Sequence, residues 1–336
     1  MTALTTTARP KHDAGLRPVP WHRITWVTWR QHRAALAGVA VFLGALAVYL
    51  LVTGLQIHHA YATACHPASS FACTVTFTGR YAVTVNVVRA FLQVVPALIG
   101  AFAGAPVLAR EMETGTFRFA WTQGFGRGRW ALAKLVLLAV VLTAVAGAFT
   151  VLFSWYASPF FAAGYAIPFA TDLFDTLGVA FAAWTLAAFA IGTLAGMLIR
   201  RVVPAIAATL AAYATLAFAT ALWLRQHYMT PLLTSNPNLP GTAWIVNQWY
   251  DKGGKFAFPA RGSQLVSVAS RLCPWARNAS LGSPAQCLTR HGYTLWASYQ
   301  PGSRFWPFQW IEGGWLLALS ALLIAATVWL VRRRAA

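Results

Sequence analysis

The stretch Leu108-Ala109-Arg110-Glu111-Met112-Glu113-Thr114-Gly115-Thr116-Phe117-Arg118-Phe119-Ala120-Trp121-Thr122-Gln123-Gly124-Phe125-Gly126-Arg127-Gly128-Arg129-Trp130 separates two long apolar runs. It reads as a short amphipathic helix, then a glycine-rich turn, then a basic anchor. The pair Glu111 and Glu113 sits where the first run ends, and Lys134 follows as the second begins. A chain that leaves and re-enters apolar sequence through so short a polar passage is built from hydrophobic helices joined by turns.

The composition agrees. Of 336 residues 58% are hydrophobic and only 10% charged, which excludes an ordinary soluble protein. A helix crossing the hydrocarbon needs about 20 mostly apolar residues, because its backbone polar groups must be satisfied internally. Six stretches qualify, roughly Ala34 to Ile57, Ala90 to Ala109, Trp130 to Ala157, Asp175 to Ile199, Val202 to Trp223 and Trp310 to Val331. Only Arg200 and Arg201 separate the fourth from the fifth, and Pro204 follows, so this long run reads as a tight helical hairpin.

A formal charge of +19 would suggest a nucleic-acid partner in a polar chain; here it reads as topology, with no nucleic acid implied. Sixteen of the 26 basic residues fall on four short segments, within residues 9–33, 110–134, 200–201 and 332–334, which share one side if there are six spans. Both termini are therefore expected in the cytoplasm, with the acidic pair on the same side. The cysteines agree, since Cys65, Cys73, Cys273 and Cys287 all fall in outer loops, where disulfides persist. Local bridges Cys65–Cys73 and Cys273–Cys287 are the simplest pairing, although four cysteines allow three connectivities.

Residues 1–19 are rich in Thr, Ala and Pro and are expected to form a disordered cytoplasmic tail. Residues 20–33 follow as an amphipathic helix with Trp26, Trp29, Arg30 and Arg33 at the headgroups, or as a basic stop before the first span. Residues 34–223 hold spans 1–5, with the polar connection at 110–129. Residues 224–309 are too long for a structureless loop and are expected to fold as a small outer domain stapled by a disulfide. Residues 310–336 hold span 6 and a basic tail. The fold class is thus an all-α integral membrane protein of six transmembrane helices with an outer domain between helices 5 and 6.

Catalytic signatures are missing. Gly253-Gly254-Lys255-Phe256 lacks the upstream glycine and the hydroxyl of a nucleotide-binding loop, and neither a Gly-x-Ser-x-Gly elbow nor a His-Glu-x-x-His helix occurs. His58, His59, Cys65, His66 and Cys73 could together bind a metal, but an outer cysteine pair is more often a disulfide, and no metal site is assigned. Span middles carry no acid or base, which argues against a proton relay through them. Any driving energy must come from another subunit.

Arg110, Glu111, Glu113, Gly115, Thr116, Arg127 and Lys134 resemble the pattern Arg-Glu-x-Glu-x-Gly-Thr, a Ser/Gly-Arg turn and a third-span Lys of the membrane subunit of a type-2 ABC exporter. Ala105-Pro106-Val107-Leu108-Ala109-Arg110-Glu111 is similar to the single-domain permeases common in actinobacteria, and the likeness extends from about Trp21 to Arg334. The resemblance implies a half-transporter in the bacterial plasma membrane that pairs with a second permease copy and with cytoplasmic ABC ATPase subunits. It implies no cofactor in this chain, with ATP and Mg on the partner. Arg110, Glu111, Glu113, Gly115, Thr116, Phe117 and Arg118 would form the coupling helix, with Glu111 and Glu113 pairing to bases such as Arg118 or Arg30. Trp26, Trp29, Arg30 and Arg33 would lie on the connecting helix beside it. A path for hydrophobic or amphipathic substrate would run between the second and fifth spans of the two protomers, lined by Phe91, Gln93, Phe102, Thr209 and Tyr213. The alternative is a polytopic anchor or sensor whose working part is the outer domain.

Overall fold

The computed structural model describes residues 21–65, 71–115, 127–236, 239–273 and 284–334; within these, side chains are described except at 21–40, 42, 71–74, 127, 284 and 334. The expected tail at 1–19 lies outside them. Six helical stretches are long and apolar enough to cross a membrane: Leu43–Ala64, Val75–Thr114, Gly128–Ala162, Gly178–Ile199, Val202–His227 and Gly302–Arg333.

Helix α1 (Trp21–Ala64) is continuous over 44 residues. At 1.5 Å per residue it is about 66 Å long, twice the hydrocarbon thickness, so the first span and the segment before it are one rod. Helix α2 (Phe71–Ile99) starts well before the expected Ala90, and Cys73 lies in its first turn rather than in a loop. Arg80 and Arg89 had lowered the apparent hydropathy there, but Arg89 Nη2 pairs with Asp172 at 2.7 Å. Past Pro96 the helix widens into a π-helical turn, Gly100–Gly104, and continues as α3 (Ala105–Thr114). Helix α4 (Arg127–Ala162) returns across the bundle. A short helix, α5 (Thr171–Phe174), then leads into α6 (Gly178–Ile199).

Helix α6 is the axle of the bundle. Ala180, Phe181, Ala183, Trp184, Ala187, Ala188 and Phe189 are all buried on it. Its tightest crossing is with the π-helical turn, where Gly100 and Gly104 face Gly192 and Gly196. A Cβ on Gly104 would lie 2.7 Å from the Phe189 carbonyl oxygen, and one on Gly192 would strike the Gly100 carbonyl oxygen. The two Gly-x-x-x-Gly pairs are one interlocked contact, the backbone approach that only glycine permits. At the other end of α6, Gln309 replaces missing backbone partners: Ala180 N–H donates to its Oε1 at 2.9 Å, and its Nε2 donates to the Phe174 carbonyl at 3.0 Å.

The hairpin expected at Arg200-Arg201 is present. Arg200 adopts a left-handed conformation with φ 60°, its N–H caps the Gly196 carbonyl, and α7 (Val202–Ala219) follows. Its end loosens through a second π-helical turn, Thr220–Leu224, and a 3-10 turn, Arg225–His227.

The outer domain corrects the all-α expectation, because the protein is mostly helical but carries a four-stranded antiparallel sheet. Strands β1 (Leu232–Thr234), β2 (Trp244–Lys252), β3 (Lys255–Pro259) and β4 (Tyr293–Gln300) are ordered β1-β4-β2-β3. Gly253-Gly254, dismissed above as a failed phosphate loop, is the tight turn between β2 and β3, with φ of 61° and 81° as a type I′ hairpin requires. Helices α8 (Ser263–Leu272) and α9 (Pro284–Arg290) are joined by the Cys273–Cys287 disulfide, over a core of Tyr250, Phe258 and Leu288. Trp244 instead packs its ring on Phe169 and Phe308, tying the sheet to the bundle. The last helix, α10 (Phe305–Arg334), packs along α6.

Candidate coupling site

The acidic pair lies on the last turn of α3, which Gly115 ends in a left-handed conformation, φ 69°. Its two carboxylates reach different helices. Lys134 of α4, 2% exposed, donates to Glu111 Oε1 at 2.6 Å and to the Val107 carbonyl at 3.2 Å. Val202 N–H, at the start of α7, donates to Glu113 Oε2 at 3.1 Å. Glu113 therefore offsets the partial positive charge of that helix N-terminus and satisfies one of its unpaired donors. Thr114 donates to the Arg110 carbonyl at 2.8 Å, while the Arg110 side chain is exposed.

One end of the molecule thus gathers α3, the start of α4, the α6–α7 hairpin and, through Arg332 against Gly128, the end of α10. Three of the four basic segments expected to share a side meet there. Among the described residues the carboxylates engage Lys134 and the Val202 N–H; the side chains of Arg118 and Arg30, the partners expected above, lie outside the described residues. Thr116, Phe117 and Arg118 are also outside them, as are the side chains of Trp26, Trp29, Arg30 and Arg33. Glu111 Oε2 is buried and has no hydrogen-bond partner among the described residues.

Residues 40–225 match the ABC-2 membrane transporter related family, more than half of the chain. The chain belongs to that family. No curated protein and no solved structure shows significant similarity to it. The ABC-2 match begins within α1 and ends at Arg225, so it covers the first five spans and stops before the sheet. The protein is accordingly a multi-pass membrane transport subunit, of a family whose permeases associate with an ATPase partner.

Within one protomer, the five residues expected to line a path in this ABC-2 permease fall on different faces. Thr209 is buried and donates to its own helix, to the Ala205 carbonyl at 2.7 Å. Tyr213 packs edge-on against Trp184, centroids 5.5 Å apart, inside the protomer core. Gln93 and Phe102 are exposed on the outer side of the second span, and Phe91 is half-buried beside them. Helical period explains the split, because residues a few positions apart on one helix face different neighbours. Of the proposed metal cluster, His58 stacks on Trp155 at 4.6 Å and hydrogen-bonds the Trp155 carbonyl. Cys65 is disulfide-bonded, and the side chain of Cys73 lies outside the described residues. Cys273, Cys287 and His291 lie together, but the disulfide occupies both sulfurs.

Sequence reading missed a buried charge cluster at the opposite end. Arg225, within the stretch 224–309 expected above to form the outer domain, is 1% exposed. Its Nε donates to Glu312 Oε2 at 3.0 Å, and its Nη2 donates to Glu312 Oε1 at 2.9 Å and to Asp175 Oδ1. Trp184 Nε1 donates to Glu312 Oε1 at 2.9 Å, Tyr228 OH donates to Oε2 at 3.1 Å, and Trp315 Nε1 donates in turn to Tyr228. The guanidinium lies 4.3 Å over the Phe174 ring. A signal was available: Arg225 directly continues the fifth apolar run, and Glu312 is the sole acid in the sixth.

Proposed function

We propose that this protein is the permease subunit of an ATP-driven exporter and that the end formed by Arg110–Gly115 and the α6–α7 hairpin receives a separate cytoplasmic ABC ATPase. The observation that carries the reading is the bracing of α3 by Lys134 and by the N-terminus of α7. A push on α3 at this end reaches α4 and α7 directly, and through the glycine crossing it reaches α6. An ATPase pair can bias a two-state permease only through contacts that differ between its states, and a braced end of this kind transmits such contacts. Both termini lie in the cytoplasm in this reading, and two permease copies, identical or related, complete the transporter. ATP and Mg belong to the ATPase. Exposed apolar side chains on the second and fifth spans, Phe102, Phe218 and Leu222 among them, suit a hydrophobic or amphipathic substrate between the copies.

The test is removal of the outer sheet with the bundle kept intact. A deletion from Leu224 to Gln309 would take Arg225 and Gln309, both part of the bundle, so the deletion runs from 232 to 300 with a short linker. Purified from its own membranes in mild detergent, the shortened protein still brings down a nucleotide-binding subunit with ATPase activity. Loss of that association with a folded bundle would favour an anchor or sensor whose working part is the outer domain.

A further inference from the structure

We propose that Asp175, Arg225 and Glu312 form a proton-binding latch: the closed arrangement holds one proton more than an arrangement in which Asp175 faces water, so acid keeps it closed and opening releases a proton to bulk solvent. The charge count is the first ground. One guanidinium serves two carboxylates in a site where Arg225 and Glu312 are fully buried, leaving a net negative charge uncompensated. Burying an unpaired charge is costly, and uptake of a proton removes it.

Hydrogen bonding decides which carboxylate takes the proton. Glu312 accepts four bonds, two from Arg225, one from Trp184 and one from Tyr228, all of which favour its ionised form. Asp175 has Arg225 as its described donor, and its side chain is 19% exposed, so a proton from water reaches it first. The ionisable groups around it are Tyr213 from α7, Arg225 from the 3-10 turn beyond it, Tyr228 just after, and Glu312 from α10; Asp172 on α5 is occupied by Arg89 of α2. Burial pushes the Asp175 carboxyl up, against the pull of Arg225 and with the help of Glu312, to about 7.

The elements joined come from three separate parts of the chain. Asp175 lies on the connection before α6, Arg225 on the 3-10 turn that ends the fifth span, and Glu312 in the last span. The π-helical turn at Thr220–Leu224, immediately before Arg225, replaces the α-helical ladder by a wider one in which Arg225 N–H donates to the Thr220 carbonyl, and such a turn marks a place where a helix changes direction. A carboxyl that is raised in the closed state binds its proton more tightly there. Between about 7 and its ordinary value of 3.8, each unit fall in pH therefore favours closure by up to about tenfold.

The experiment uses the full-length protein in detergent or nanodiscs, with no partner present. Infrared difference spectra between pH 8 and pH 6 show a protonated-carboxyl C=O band growing in as pH falls, shifted by 13C-labelled aspartate and missing in Asp175→Asn. The melting temperature falls as pH rises from 6 to 8, and Asp175→Asn flattens that slope while Asp172→Asn does not. The proposal is overturned if no such band appears, if labelled aspartate leaves it unmoved, or if Asp175→Asn keeps the wild-type slope. Should that variant not fold, the label experiment on the wild type decides alone.

Discussion

Replacing Lys134 by Met removes the cation that, among the described residues, pairs with the α3 end from within the bundle. The loss leaves Glu111, 19% exposed, beside an apolar Met side chain with neither oxygen paired among the described residues, since Oε2 already has no partner there. Stranding one member of a buried pair costs about 3–5 kcal/mol. Glu111→Gln strands the better-buried partner, Lys134, 2% exposed, with its bond to the Val107 carbonyl and one to the new amide oxygen, and costs a similar amount, about 3–5 kcal/mol. The double replacement strands no charge, and Met fills the Lys stem volume, so the two losses do not add; a coupling energy of about 2–3 kcal/mol is expected. Thermal unfolding of the four purified forms in one detergent, read by tryptophan fluorescence, measures the cycle. Strict additivity, or a Lys134→Met loss below about 0.5 kcal/mol, would refute the bracing of α3 by α4.

The glycine crossing and the staple give two further expectations. Gly192→Ala drives a Cβ into the Gly100 carbonyl and should destabilise by about 1–3 kcal/mol, with a matching fall in melting temperature, whereas Gly147→Ala, where nothing lies within 4 Å, should be neutral or slightly stabilising. Cys273→Ser opens a bridge spanning 14 residues and should cost the outer domain about 3 kcal/mol. Hydrogen exchange should rise across 244–300 while the spans stay protected.

The six spans and the Arg200 hairpin were legible because hydropathy and backbone satisfaction in lipid leave few alternatives. The helix carrying the second span extends back to Phe71, further than hydropathy marks it, because Arg89 counts against an apolar run until Asp172 is seen beside it. The sheet was missed although Trp244–Lys252 is rich in aromatic and branched residues and runs into Gly253-Gly254, because a search for phosphate loops passed over a hairpin turn. At the coupling end the motif residues were legible one by one. That Glu113 caps the helix starting at Val202, 89 residues away, follows only from the packing of α3 on the hairpin. The Arg225 cluster was invisible for the same reason: its three charges come from three separate parts of the chain, the connection before α6, the end of the fifth span and the last helix, and length alone assigned Arg225 to a loop.

The central claim, that the α3 end meets an ATPase, is tested most directly by photo-crosslinking in intact membranes. A benzoylphenylalanine at Phe117, two residues beyond Gly115, should give an adduct that mass spectrometry identifies as a nucleotide-binding ABC subunit, and the same probe at exposed Phe256 on the outer hairpin should not. Adducts at Phe117 confined to lipid or to this chain, with a protein partner captured at Phe256 instead, would contradict the account.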